Sequence, residues 1–245
     1  PMSDIVVILV AVVMGGFVKG VTGSGLPVVA IPIIASFTGV ETAVVIMVIP
    51  SITSNLQLIG ANHGELHETR HLFRMVIAGM FGVAFGTFVL TAVDERILGL
   101  VLAGVIIGYI TLNRLRPMFV LSERLASVTA IPIGFLGGTL QGSSGVSSPL
   151  LSPYLHAYRM PRRAYAFSLA VLFMVFGVIQ IPSLAVAGLL SADRLAVGAL
   201  AVVPIFIALR AGMKIGGRLS NAAFDRWVLA VLALTATKLI IDAFN

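Results

Sequence analysis

The chain has 245 residues, of which 58% are hydrophobic and 11% are charged, with a net charge of +6 and a mean hydropathy of +1.07. A soluble domain carries about 25% charged residues, so the composition excludes an ordinary soluble protein. The absence of cysteine excludes disulfides and thiolate metal sites. The positive charge is typical of cytoplasmic loops in membrane proteins, and we therefore expect no nucleic-acid partner.

Apolar runs between short charged links predict an all-α polytopic membrane protein with one transmembrane domain, residues 1–245. Most runs approach the ~20 residues that span a bilayer, whereas a β-barrel would show short alternating segments. The first run, 5–18, follows Asp4 without a basic region, which favours a spanning helix over a removed signal. In chain order, the predicted helices cover residues 4–20, 26–38, 41–60, 70–92, 95–113, 124–140, 147–158, 162–189, 193–211 and 224–243.

The last five predicted helices repeat the order of the first five, which predicts two repeats at about 4–113 and 124–243. Each repeat contains a glycine-rich break, GFVKGVTGSGLPVVAIP at 16–32 and GFLGGTLQGSSGVSSPLLSP at 134–153. Aligning their common Gly-Phe-x-x-Gly start matches Gly20 with Gly138. This alignment places Gly137 opposite Lys19.

Corresponding links of the two repeats carry opposite charge. The link before the third helix carries Glu41, but its counterpart carries Arg159, Arg162 and Arg163. Because basic links stay in the cytoplasm, the repeats are predicted to be inverted, as in many secondary transporters. Both termini are then periplasmic, and each glycine-broken helix pair begins and ends on one side of the membrane.

The two breaks predict an anion site. Pro27 and Pro149 suit a first helical turn, and Ser24, Ser147 and Ser148 suit N-caps. Free N–H groups at such helix ends bind anions, and the two ends are expected to face one another near the midplane. The predicted substrate-binding residues of the breaks are Thr22, Gly23, Ser24, Gly25, Gln141, Gly142, Ser143, Ser144, Gly145, Ser147 and Ser148. The alternative is that the glycines only permit close helix packing.

Lys19 lies at the end of the first helix without an acidic neighbour in the sequence. A charge at membrane depth indicates function; the alternative is that Lys19 reaches the membrane interface. Ser54 and Asn55, on one face of the third helix with Ser51, are predicted to line a polar path. Their alternative role, shared with Gln180, is hydrogen bonding between helices.

Two further patterns point to other chemistry. His63, His67 and His71 recur every fourth residue, a spacing that can ligate a metal, but beside a wet loop a solvated face is favoured, so we expect no metal and no cofactor. GSSG at 142–145 fits the Gly-x-Ser-Gly pattern of rhomboid-like intramembrane proteases. A protease needs a base to activate Ser144, and His156 is the last histidine, so an enzyme is not expected.

The glycine-rich breaks, the duplicated halves and RRAYAFSLAV at 162–171 resemble the TauE/SafE family, also called the sulfite exporter or toluene sulfonate uptake permease family. The resemblance covers nearly the whole chain. It implies movement of sulfur-containing anions, such as sulfite, sulfonates or sulfoacetate, across the bacterial inner membrane. The predicted partners are a small anionic substrate and the lipid bilayer. A passive anion channel and a purely structural membrane protein stay open as alternatives, as does the oligomeric state.

Overall fold

A computed structural model describes the backbone of residues 2–62, 71–115, 120–215 and 221–244, and their side chains apart from residues 2–4, 113, 162 and 221–227. These residues form α-helices and short connections, with no strand among them. The helices are α1 Met2–Thr22, α2 Leu26–Thr38, α3 Val40–Ala61, α4 Leu72–Ala92, α5 Glu95–Leu115, α6 Glu123–Ser144, α7 Ser148–His156, α8 Arg162–Val186, α9 Ala192–Ile215 and α10 Asn221–Phe244.

This order confirms the predicted all-α membrane architecture. Seven helices in the described ranges are long and apolar enough to cross a membrane, namely α1, α3, α4, α5, α6, α8 and α9. A long helix, a short helix and three long helices follow one another twice along the chain. The predicted ends of α1 and α6, at residues 20 and 140, are wrong, because Gly20 and Gly142 continue the helices instead of ending them.

The two short helices fold back on the long helices that precede them. Gly15 of α1 lies against Leu26 and Ala30 of α2. In the second half, Gly137 of α6 lies against Leu151 of α7. The N–H of Leu121 donates to the carbonyl of Ala157 over 3.0 Å, so the α6–α7 hairpin begins and ends at the same level.

Glycines also set the direction of neighbouring helices. Along α1, Gly16 lies against Ile205 and Gly20 lies against Leu209, so α1 and α9 run parallel. Along α6, Gly134 lies against Met75 and Gly138 lies against Gly79, so α6 and α4 also run parallel. Small residues let the backbones of membrane helices approach closely, and here they join each half of the chain to the other.

α3 and α8 lie at the centre of the bundle, where Gly177 of α8 contacts Ile52 of α3. α3 is the most enclosed spanning helix, with 61% of its span buried against 28–44% for the other six. One hydrophobic cluster packs around α1, α2, α3, α5, α9 and α10 and includes Leu184 of α8, and a second packs around α4, α6, α7 and the rest of α8. The buried polar residues of these two helices are Ser51, Ser54 and Asn55 of α3 and Ser168 and Gln180 of α8.

Candidate functional site

The first break comprises residues 23–25, between α1 and α2. Gly23 and Gly25 have left-handed backbones, with φ of +83° and +107°, which glycine adopts without strain. Gly25 is the N-cap of α2, so the prediction that Ser24 caps this helix is wrong. Thr22 borders this break, where its hydroxyl donates to the carbonyl of Val18 over 2.9 Å and also contacts the backbone of Ser24. The predicted proline in the first turn, Pro27, is confirmed.

The second break is shorter than predicted and comprises residues 145–147. Gly142, Ser143 and Ser144 lie inside α6, and both serine hydroxyls donate to carbonyls of that helix, over 2.8 Å each. Their backbone N–H groups are therefore not at a helix start, which corrects the expectation that they form the break. Gly145 ends α6 with a φ of +70°.

Ser147 is the N-cap residue of α7, but its hydroxyl makes no capping hydrogen bond. It donates instead to Oε1 of Gln141 over 2.9 Å. Ser148 is the first residue of α7, followed by the predicted Pro149. Every residue from 141 to 149 is buried, whereas Ser24 in the first break is partly exposed.

Lys19 is almost fully enclosed, with 1% of its surface exposed. Its Nζ donates to Oγ of Ser54 over 2.9 Å and to Oδ1 of Asn55. We call Lys19, Ser54 and Asn55 the Lys19 cluster. Its two acceptors are neutral, and none of the ion pairs found in the described residues includes Lys19. The structure thus places three predicted site residues together, and it excludes Lys19 as a side chain that reaches the membrane interface.

A second polar cluster joins α6 to α8. Nε2 of Gln141 donates to Oε1 of Gln180 over 3.2 Å, and Nε2 of Gln180 donates to the carbonyl of Gln141 over 3.0 Å. With Ser147 these residues form the Gln141 cluster, and all three are 1–5% exposed. Gln180 was not among the predicted site residues. The signal that could have found it is a single amide within an otherwise apolar helix.

The structure corrects the alignment of the two halves. Gly20 lies against the Leu209 carbonyl, Gly212 and the Met213 nitrogen of α9. Gly142 makes the same three contacts with α4, to the Val83 carbonyl, Gly86 and the Thr87 nitrogen. Gly20 therefore corresponds to Gly142, one helical turn beyond the predicted Gly138, and Lys19 corresponds to Gln141 instead of Gly137.

The breaks do not face one another at one level. Gly23 lies nearest Ala166 of α8, whereas Gln180 bonds to Gln141 beside the second break. The fourteen residues from Ala166 to Gln180 span about 21 Å of helix. Along α3 the order is reversed, since Val44 lies by Gly145 and Ser54 by Lys19. α3 and α8 therefore run antiparallel, with one break toward each end of the pair.

The two polar clusters lie closer together than the breaks. Ile52 contacts Gly177, Ser54 lies two residues beyond Ile52, and Gln180 lies three residues beyond Gly177 in the opposite direction. Their separation along the helix axes is about 8 Å. An open pocket of about 430 Å³ lies among the described residues where α2, α3, α5 and α10 meet, lined in part by Asp94, Glu95 and Asp242. That pocket includes no residue of either cluster, so its volume does not mark the polar site.

The histidine repeat and the Gly-x-Ser-Gly pattern make other contacts than those a metal site or a protease would need. His71 pairs with Glu123 at 3.0 Å, while His63 and His67 lie outside the described residues. Within the described ranges, no group of three or more histidine, cysteine or acidic residues is placed to hold a metal. Ser144 donates to Leu140, and the ring of His156 meets that of Tyr165 at 5.8 Å. Neither contact joins Ser144 to His156.

Comparisons with known proteins give one match. The model of the sulfite exporter TauE/SafE family matches residues 7–239. Comparisons with curated proteins and with solved structures find no match. With its multi-pass helical bundle and nearly its whole length matched, this chain belongs to the sulfite exporter TauE/SafE family.

Proposed function

We propose that this protein is a secondary transporter that exports small sulfur-containing anions, such as sulfite, sulfonates or sulfoacetate, across the bacterial inner membrane. Family membership gives the class of protein, a membrane transporter of the sulfite exporter type. The observation that carries the proposal is Lys19, an ammonium group buried in the bundle with two neutral oxygen partners.

Electrostatics connects Lys19 to an anion. Removing an ammonium group from water costs several kcal/mol, and hydrogen bonds to neutral groups offset only part of that cost. The oxygens of Ser54 and Asn55 orient Lys19 but carry no countercharge. A bound oxyanion supplies that charge and accepts the remaining N–H of Nζ, while amide N–H groups of the two clusters donate to its other oxygens.

The arrangement of the halves supports a carrier mechanism. α1 runs parallel to α9 and α6 runs parallel to α4, and each half contributes one hairpin and one polar cluster. We interpret this as an inverted repeat, in which the halves rock against one another around a central site. The charge bias of the links then places both termini in the periplasm. An uncoupled anion channel is the second candidate, but the burial of both clusters favours a carrier that opens to one side at a time.

Binding and transport by the purified protein test the proposal. Thermal shifts are measured with sulfite, thiosulfate, sulfoacetate, taurine, sulfate and carboxylate analogues, and active anions are then tested for exchange in proteoliposomes. We expect stabilisation by sulfur oxyanions, saturable exchange, and loss of both in Lys19→Met. Lys238→Met is the control, because Lys238 lies at the end of α10 in a half-exposed pair with Asp242. Non-saturating flux would indicate a channel, and normal binding by Lys19→Met would refute the proposed site.

A further inference from the structure

Lys19 and Gln141 occupy equivalent positions in the two halves. Each lies four residues before the left-handed glycine that follows or ends its helix. The carbonyl of Lys19 accepts the N–H of Gly23 over 2.8 Å, and that of Gln141 accepts the N–H of Gly145 over 2.8 Å. The next residue in each helix, Gly20 or Gly142, packs on matching atoms of α9 or α4, as described above.

Their side chains also reach equivalent helices. Lys19 leaves α1 and bonds to α3, while Gln141 leaves α6 and bonds to α8. α3 and α8 are the helices in contact at Ile52 and Gly177. Both side chains therefore enter the α3–α8 centre from opposite sides, about 8 Å apart along the helix axes.

The two positions differ in charge. Lys19 contributes one positive charge, whereas Gln141, Gln180 and Ser147 contribute amide and hydroxyl dipoles only. The cost of removing an ion from water rises with the square of its charge, but its attraction to a single ammonium rises only in proportion to the charge. A site with one charge thus favours a monoanion over a dianion of similar size.

We propose that Gln141, held in place by Gln180, is a specificity-determining residue that keeps the site at a single positive charge and so selects monoanionic sulfur oxyanions. This inference rests on the proposed function, because it assigns the second half of the same site. It narrows the proposed substrates to monoanions such as simple sulfonates, and it places sulfoacetate, which carries two negative charges at neutral pH, among the weaker ligands. It follows that a cation moved to position 141 acts on the same substrate as Lys19 does.

The inference is tested by measuring the dissociation constants of methanesulfonate, a monoanion, and of sulfate, a dianion. The purified proteins are the wild type, Gln141→Lys, Lys19→Gln and the double variant that exchanges the two side chains. We expect Gln141→Lys to shift the ratio of the two constants toward sulfate by about tenfold or more. Lys19→Gln should lose methanesulfonate binding, and the exchange should restore it. Thr111→Lys, which adds the same charge at an exposed position near the end of α5, should change the ratio by less than about threefold.

A folded Gln141→Lys with an unchanged ratio, beside a Lys19→Gln that has lost binding, would overturn the inference and leave the proposed function standing. Normal methanesulfonate binding by Lys19→Gln would instead overturn the proposed function, and the inference with it. Where melting curves show that Gln141→Lys does not fold, Gln180→Lys decides in its place, because it brings an ammonium into the same cluster. An unchanged ratio in folded Gln180→Lys overturns the inference.

Discussion

Nζ of Lys19 donates a 2.9 Å hydrogen bond to Oγ of Ser54, thirty-five residues further along the chain. This contact joins the end of α1 to the middle of α3, the most enclosed spanning helix. Asn55 accepts a second hydrogen bond from the same ammonium. Lys19 is thus held inside the bundle by neutral groups, and we propose that a bound anion provides its countercharge.

Asn55→Asp should separate protein stability from anion binding. The change keeps the shape of the side chain but places a carboxylate beside Lys19, so the ammonium gains a permanent partner. We expect the melting temperature to stay the same or rise, because a paired buried charge is better compensated than an unpaired one. Affinity for sulfur oxyanions should fall by roughly tenfold or more, because the new carboxylate repels them.

Asn62→Asp is the control for this experiment, because it adds the same charge at the far end of the same helix, where Asn62 bonds to the carbonyl of Leu58. Its anion affinity should remain within about threefold of wild type. Unchanged anion affinity in Asn55→Asp would show that the substrate does not meet Lys19.

The anion affinities of Lys19 variants should depend on the charge and the head-group shape of the new side chain. Lys19→Met keeps much of the apolar stem and removes the charge, so we expect a loss of about 10- to 100-fold in affinity, larger for dianions than for monoanions. Lys19→Arg should be intermediate, because the wider guanidinium does not fit the Ser54 and Asn55 oxygens in the same way. Calorimetric titration with sulfate and methanesulfonate measures both effects. Equal affinities of Lys19→Met and wild type for both anions would contradict this ranking.

We expect a side chain at position 142 to lower the stability of the protein more than its affinity for anions. A methyl group on Gly142 meets the backbone of α4 at Val83, Gly86 and Thr87. Overpacking of this kind costs about 1–3 kcal/mol, so Gly142→Ala should lower the melting temperature by several degrees. Gly104→Ala is the matched control, because Gly104 has no atom within 4 Å of an added methyl group. A melting temperature for Gly142→Ala as high as that of Gly104→Ala would argue against the close α4–α6 contact.

Hydropathy predicted the ten helices well, because lipid imposes long apolar segments whatever the details of packing. The alignment of the halves slipped by one turn for a physical reason. Glycines recur every fourth residue in α6, at Gly134, Gly138 and Gly142, so a shift of one turn still matches glycine with glycine. Only the contacts of Gly20 and Gly142 with their neighbouring helices resolve the register.

The site was predicted in part. A lone lysine and a polar face on the third helix identified the Lys19 cluster, because charged groups are too costly to bury without a reason. The serine caps were predicted only in part. Gly25 instead of Ser24 takes the N-cap position of α2, and Ser147 takes that of α7 but directs its hydroxyl to Gln141. The distance between the breaks was also beyond prediction, since it depends on how α3 packs against α8 and not on either glycine-rich segment alone.

The orientation of the bundle can be tested by single-cysteine labelling, which needs no background removal because the chain has no cysteine. The links before α3, α5 and α9 lie on one face, since Gly39 lies against Glu95 and Arg194 pairs with Glu41 at 2.7 Å. We predict that this face is periplasmic, because these links carry fewer basic residues than their counterparts.

Asp94→Cys and Ser191→Cys should therefore react with a membrane-impermeant maleimide in intact cells. The opposite face is identified by two basic residues, Arg116 and Arg162. The structure does not describe Arg116, the side chain of Arg162 or the last residue, Asn245. Cysteines at 116 and 162 should react only after permeabilisation, because basic links stay in the cytoplasm, and a cysteine at 245 should react from outside. Labelling of both residues 116 and 245 in intact cells, or of neither, would reject the inverted repeat, because two oppositely oriented halves place these residues on opposite sides of the membrane. Labelling of residue 116 but not of residue 245 would instead reverse the predicted orientation of the whole bundle.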